Sequence, residues 1–341
     1  MFLAAARFFG SFPYTNAGEF DFIMYMFYMI QLAVAVGCRL ITSMLVRIDD
    51  WRQSRVDKLS ICVHVVGLWA YFLPLMIQPL MTLKRRPDFE FVSAFFANST
   101  YPPFLRYISH LGCALVVAIM YFSVFGLLIV QRFINGTRQV MQCIAEIHMH
   151  YIYGLDFLVT MQHTSLVHRV SMEFFLTRRR LKYELFEATD YAQGLFRISK
   201  TANMIYGPQL VVRVTQSLIT MMTFAYGTIT NTSPHGNTTI LEKMGEMMIL
   251  IIIIAELWCL CGTCDDARAN AEAFNNELFK IMRESRDLCS NKKLRLYVTM
   301  KQTVEFTACG FFSLGYSLVT SVIAASTTYL VILVQFSMTT G

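Results

Sequence analysis

The sequence is short of charge. Only 15% of its 341 residues are Asp, Glu, Lys or Arg, against 55% hydrophobic, and mean hydropathy is +0.47. A water-soluble domain of this size carries nearer a quarter charged residues. The shortage excludes an ordinary soluble globule and identifies an integral membrane protein. The 9 cysteines lie mostly inside apolar stretches, without the spacing of a secreted disulfide framework, and read as free thiols. A phosphate-cradling glycine loop, a Gly-x-Ser-x-Gly elbow and a His-Glu-x-x-His pair are all missing, so no catalytic residue, cofactor or enzyme activity is expected. Cys259, Cys261 and Cys264, followed by Asp265 and Asp266, lack the second pair that a zinc ribbon needs, and no metal is expected either. Net charge is +6, but the basic residues gather in particular loops, so membrane lipids rather than nucleic acid are the expected partners. Residues 1–7, apolar up to Arg7, lack a basic leader and a full apolar run and are not read as a cleaved signal peptide.

Apolar stretches dominate what is present. Seven are long enough to cross a bilayer core of about 30 Å, at residues 22–46, 59–83, 108–131, 140–163, 207–230, 241–264 and 315–336. Pro74 and Pro79 should kink the second or end it early. The fourth is the least hydrophobic, carrying Gln142, Glu146, His148, His150, Asp156 and His163. Residues 84–107 begin with a basic run and continue as a partly aromatic loop. Residues 164–206 and 265–305 are charged yet too apolar for disorder, and are expected as helices continuing out of the bilayer. The expected fold is an all-α membrane protein of seven transmembrane helices: a segment at 1–21, helices one to four in 22–163, a helical extension at 164–206, helices five and six in 207–264, a helical anchor at 265–305 and the last helix in 306–341.

Charge sets the orientation. The N-terminal side of such a topology collects 20 Lys and Arg and the opposite side 7, which places the N-terminus in the cytosol. The glycosylation sequons at Asn135, Asn231 and Asn237 all fall on the predicted outer face, whereas Asn98 falls inside. Such an arrangement is opposite to that of a G-protein-coupled receptor.

Two constellations invite a function. On the last span Ser317, Ser321, Ala324, Thr328, Val331 and Gln335 follow one another at steps of three or four and form one stripe on one helical face. Hydroxyls and an amide facing hydrocarbon are costly, so the stripe faces other helices or water. Close packing through small residues and a pore wall both remain open. On the fourth span Gln142, Glu146, His150 and Tyr153 share a face, and ionisable groups within a membrane need partners. They either line a water-accessible ligand cavity in the outer half of the bundle or are satisfied by neighbouring spans. Trp69, Tyr121, Phe224 and Tyr226 could stack against a ligand or serve as packing. Arg178, Arg179 and Arg180 suit either anionic head groups or a solvated cytosolic face.

The C-terminal residues carry a resemblance. Thr328-Tyr329, five apolar residues and Gln335-Phe336 resemble the terminal signature of the insect gustatory receptors. The stretch from Phe306 to Phe312 is similar to the turn before the last helix in that family, and Phe8 to Tyr14 to its motif before the first. The family is similar in fold to the insect odorant receptors. The resemblance implies a plasma-membrane subunit of a homo- or hetero-tetrameric cation channel gated by a small-molecule tastant. The last helix would line the pore, with Ser321, Thr328 and Val331 on its wall and Gln335 and Phe336 at its constriction. Leu330 stands where the sugar-receptor branch often has Glu, which points away from that branch. A transporter is the alternative, and a G-protein-coupled receptor the third.

Overall fold

The structure, a computed structural model, describes residues 20–34, 36–37, 76–97, 140–230, 240–300 and 302–340. Outside these residues lie the third expected span, most of the second, Trp69, Tyr121 and the sequon residues Asn135, Asn231 and Asn237. Gln142, Glu146, His150 and Tyr153 have helical backbone, and their side chains fall outside the described set.

The described chain is almost all helix. Asp21 starts α1 (Phe22–Val34) by accepting from the Ile23 and Met24 amides at 3.0 and 3.2 Å, which satisfies two of the donors that a helix start leaves open. Then come α2 (76–84) and α3 (Arg86–Ala97). Three long helices follow: α4 (Val140–Arg180), α5 (Leu185–Thr230) and α6 (Ile240–Glu284). Two short ones, α7 (Arg286–Ser290) and α8 (Lys292–Thr299), lead to the hairpin β1 (Thr307–Ala308) and β2 (Phe312–Ser313) and to α9 (Tyr316–Thr340). Among the described residues two helices, Met247–Glu284 and Tyr316–Phe336, are long and apolar enough to cross a membrane.

The long helices are far longer than a bilayer requires. With 41, 46 and 45 residues, each measures about 60–70 Å at ~1.5 Å per residue, twice the hydrocarbon core. Positions 163, 206 and 264, where the apolar stretches end, lie inside unbroken helix. Pro208 sits within α5 without ending it, although its ring removes one backbone donor.

One packing pattern runs along all three. In α4 Thr160, His163, Val167, Val170, Phe174 and Thr177 are buried; in α5 Ala188, Ala192, Leu195, Ser199, Ala202, Tyr206 and Gln209; in α6 Leu257, Leu260, Cys264, Ala267, Ala271, Phe274 and Leu278. Each series steps by three and four residues, the period that keeps a seam facing its neighbours in a left-handed bundle. α4 packs most extensively on α6, and α5 contacts both. Alanines at the contact positions let backbones approach, and Phe174, Phe196 and Phe274 fill the spaces between, with ring centroids 5.0 and 6.3 Å from Phe174. Hydroxyls on the seam stay satisfied: those of Thr160, Thr177 and Ser199 donate to carbonyls one turn back at 3.1, 2.6 and 2.9 Å.

Residues 86–97 correct the sequence expectation of a loop. Pro87 in the first turn costs α3 no hydrogen bond, and Arg86 pairs with Glu90 at 2.7 Å one turn on. The helix docks through Phe95, stacked on Tyr191 at 5.1 Å and seated over Gly194, where a Cβ would stand 2.5 Å from the ring. Arg169 lies 4.2 Å from the Phe96 ring centroid and donates to the Phe96 carbonyl at 3.0 Å.

Phe274 has 0% exposure and Phe311 79%. Phe274→Ala should therefore lower unfolding stability by about 3–5 kcal/mol, and Phe311→Ala should leave it almost unchanged. Thermal melts of the detergent-purified protein measure both, and equal losses would contradict the seam as the source of stability.

Candidate functional site: the last helix and its seat

α9 is held at its first turn by polar side chains from the helices beneath it. Asn203 of α5 donates to the Glu305 carbonyl at 2.5 Å and accepts from the Thr307 amide at 3.2 Å, which fixes the strand entering the hairpin. Asn275 of α6 donates to the Gln302 carbonyl at 3.0 Å and accepts from the Tyr297 hydroxyl at 3.2 Å. Burial pushes the Tyr297 phenol above its usual range, so it stays a neutral donor. The hairpin turns at Cys309 and Gly310, with φ of 52° and 77°, the left-handed pair that matches the twist of its strands. Its tip rests on α5: a Cβ at Gly207 would lie 3.2 Å from the Cys309 amide nitrogen and from its sulfur. The region predicted as a turn is thus a two-stranded hairpin pinned by a glycine.

The start of α9 is capped from another helix. Asp265 of α6 accepts from the Tyr316 amide at 2.8 Å, and a Cβ at Gly315 would stand 3.0 Å from both of its oxygens. Arg268 pairs with the same carboxylate. A negative group at a helix N-terminus satisfies an open donor and complements the dipole. The Tyr316 ring lies 4.9 Å from that of Trp258, and its hydroxyl fits over Gly262.

Beyond this seat α9 has two unlike faces. Val319, Val322 and Ser326 are buried against α5 and α6. Ser317, Ser321, Ala324, Thr328, Val331 and Gln335, the stripe identified in the sequence, are all exposed, as are Tyr329 and Phe336, the latter at 61%. Among the described residues the stripe turns away from α5 and α6 along its whole length. Two of its hydroxyls are served within the helix: Ser321 donates to the Ser317 carbonyl at 2.8 Å and Thr328 to that of Ala324 at 3.0 Å. Desolvation cost alone therefore does not force the stripe into water.

A charged cluster that sequence reasoning left unconnected lies inside the bundle. Arg213 of α5 pairs with Asp156 of α4 and, at 2.5 Å, with Glu256 of α6. Gln216 donates to Asp156 at 2.8 Å and accepts from Arg213 at 2.9 Å. Glu256 is the sole charged residue in 247–264, and Arg213 the sole one in 207–230, which was the available signal. Partnership across three helices was not readable. Phe224 is half-buried and Tyr226 buried on α5. His163 is buried against Tyr206 and Phe306, with ring centroids at 5.2 and 6.3 Å, and among the described residues neither ring nitrogen has a hydrogen-bond partner. Cys261 and Cys264 are buried and Cys259 half-buried. Arg178, Arg179 and Arg180 end α4, about 25 Å along the helix from His163.

A family profile described as 7tm Chemosensory receptor matches residues 1–340. The chain belongs to that family of chemosensory receptors, in agreement with its C-terminal signature. Gustatory receptor 68a of Drosophila melanogaster is 29% identical over 145 residues, 41% of this chain and 37% of that protein. Gustatory and pheromone receptor 32a of the same species is 30% identical over 144 residues, 42% of this chain and 31% of that one. The matched stretch spans about a third of the length of these curated relatives. Among solved structures, the insect olfactory receptor OR5 from Machilis hrabei aligns with a TM-score of 0.70 at 12% identity, over 98% of this chain and 97% of that one. Its complex with eugenol aligns equally, at 0.70 and 13% identity. The likeness is one of fold.

Asp265→Ala should remove the cap on α9 and lower stability by about 1 kcal/mol, whereas Asp265→Asn, which keeps an acceptor, should lose less. Thermal melts of the two variants check this order, and the reverse order would remove Asp265 as the cap.

Proposed function

We propose that the chain is one subunit of a tastant-gated, non-selective cation channel in the plasma membrane of chemosensory neurons. The single observation that carries this reading is the outward stripe on α9. Among the described residues α5 and α6 hold the helix from one side, and the opposite, exposed side has small hydroxyl residues over most of its length, with Gln335 and Phe336 at the far end. Four such helices around an axis would make a wettable wall closed by a ring of phenyl groups, which bar ions by dewetting, while the adjacent amides can contact a partly hydrated cation. Membership of the chemosensory receptor family and the shared fold with an olfactory receptor that binds eugenol support a small-molecule ligand.

On this reading the hairpin, α8 and the lower halves of α4, α5 and α6 are the cytosolic anchor, and the N-terminus is cytosolic. Asn135, Asn231 and Asn237 then lie outside and are available for glycosylation. The ligand enters from that side, toward the face of Gln142, Glu146, His150 and Tyr153 and the aromatic residues Phe224 and Tyr226. It opens the channel only by binding the open state more tightly than the closed one.

Gln335→Ala should change ion selectivity or basal opening when the full chain is expressed in a cell with G-protein signalling blocked. Wild-type currents from that variant, at normal surface expression, would take Gln335 out of the gate.

A further inference from the structure

α5 differs from the other long helices in carrying a weak turn. Gly207 and Pro208 stand side by side within its 46 residues, whereas α4, α6 and α9 hold no proline. Pro208 has no amide to give the Met204 carbonyl one turn back, and its ring crowds that carbonyl. Gly207 adds a residue with no Cβ to restrict the backbone. Met204 is exposed and Pro208 half-buried, so the missing bond lies on the face of α5 turned away from the seam of Ala202, Tyr206 and Gln209. Long helices kink at such positions.

Different partners hold α5 on the two sides of that turn. Before it, Asn203 donates to the Glu305 carbonyl at 2.5 Å and accepts from the Thr307 amide at 3.2 Å, which ties the lower half of α5 to the hairpin. Beyond it, Arg213 pairs with Asp156 and Glu256, which ties the upper half to α4 and α6. The two attachments are about 15 Å apart along the helix, with the weak turn between them. The hairpin tip sits on the weak turn itself. Cys309, at φ 52°, brings its amide nitrogen and its sulfur to 3.2 Å from where a Gly207 Cβ would stand. The path from that tip to α9 is short and held: the Leu314 amide donates to the Phe306 carbonyl at 2.8 Å, and Asp265 accepts from the Tyr316 amide at 2.8 Å.

We propose that α5 bends at Gly207 and Pro208, and that the hairpin, seated on this joint through Cys309, carries the bend to the start of α9. The upper half of α5 moves with α4 and α6, to which the Arg213 pairs bind it, while Asn203 keeps the lower half and the hairpin strand together. Pro208 supplies the bend and Gly207 the contact. For its consequence, a change in pore opening, the inference rests on the channel reading above.

Hydrogen exchange of the purified full chain tests the joint without any ligand. Amides of 205–212 should exchange roughly tenfold faster than those of 195–202 and 213–220, because exchange follows local opening. Pro208→Ala, which restores the donor, should remove that difference and also slow the Thr307 and Tyr316 amides outside α5, while amides around Phe274 keep their rates. Uniform exchange along α5, or a slowing confined to α5, would overturn the proposal. Gly207→Ala sets a methyl against Cys309 and should speed exchange at Thr307 and Tyr316. It decides alone if Pro208→Ala does not fold, and unchanged rates at those two amides would overturn the contact. Currents separate the two readings. Pro208→Ala should change basal current roughly twofold or more in the cell used for Gln335→Ala, since it shifts the equilibrium between closed and open states. A basal current that Pro208→Ala leaves unchanged would overturn the link to the pore. A wild-type chain that shows the exchange pattern but carries no current keeps the joint and removes the channel.

Discussion

The seam shared by α4, α5 and α6 governs the rest of the structure. Its three-and-four spacing runs from Thr160 to Thr177, from Ala188 to Gln209 and from Leu257 to Leu278, through the positions where the apolar stretches end. In hydrocarbon, burying apolar side chains between helices brings no hydrophobic gain, and close packing through small residues has to serve. In water the same interdigitation also buries apolar area. One geometry meets both demands, and the seam runs through the ends of the apolar stretches without a loop.

That seam sets the last helix. Asn203, Asn275, Asp265 and Gly207 all project from α5 or α6, and each fixes a different point of the path from Gln302 to Tyr316. A shift of α5 against α6 would therefore be felt first at the hairpin and the start of α9. The paired charges at Arg213 tie α4, α5 and α6 to one another at a level above that seat. Removing water from three charged groups is costly, and the cost is met only while all three helices keep their places.

Some of this could be read in the residues. The run of uncharged residues at 315–336 and the spacing of its small polar residues located α9 and the face it exposes, since helix period and side-chain chemistry are local properties. The terminal Thr-Tyr and Gln-Phe pairs identified the family. Helical character in 164–206 and 265–305 followed from apolar content too high for disorder, although the second segment is broken at Ser285 and Asn291 and its helix ends at Thr299. α3 was missed because its aromatic residues, Phe89, Phe91, Phe95 and Phe96, show no helical stripe until the partners on α4 and α5 are known. Asp156 was noticed only as one of several polar residues on its span.

The sequence by itself determined a helical membrane receptor with a polar-edged final span, because hydropathy and periodicity depend on neighbours a few residues away. Only the tertiary structure decided that Asp156, Arg213 and Glu256 meet, that an aspartate of α6 caps α9, and that the polar edge turns away from α5 and α6. Those facts depend on the rotation and offset of helices separated by 40 or more residues, which packing sets and local pattern does not encode.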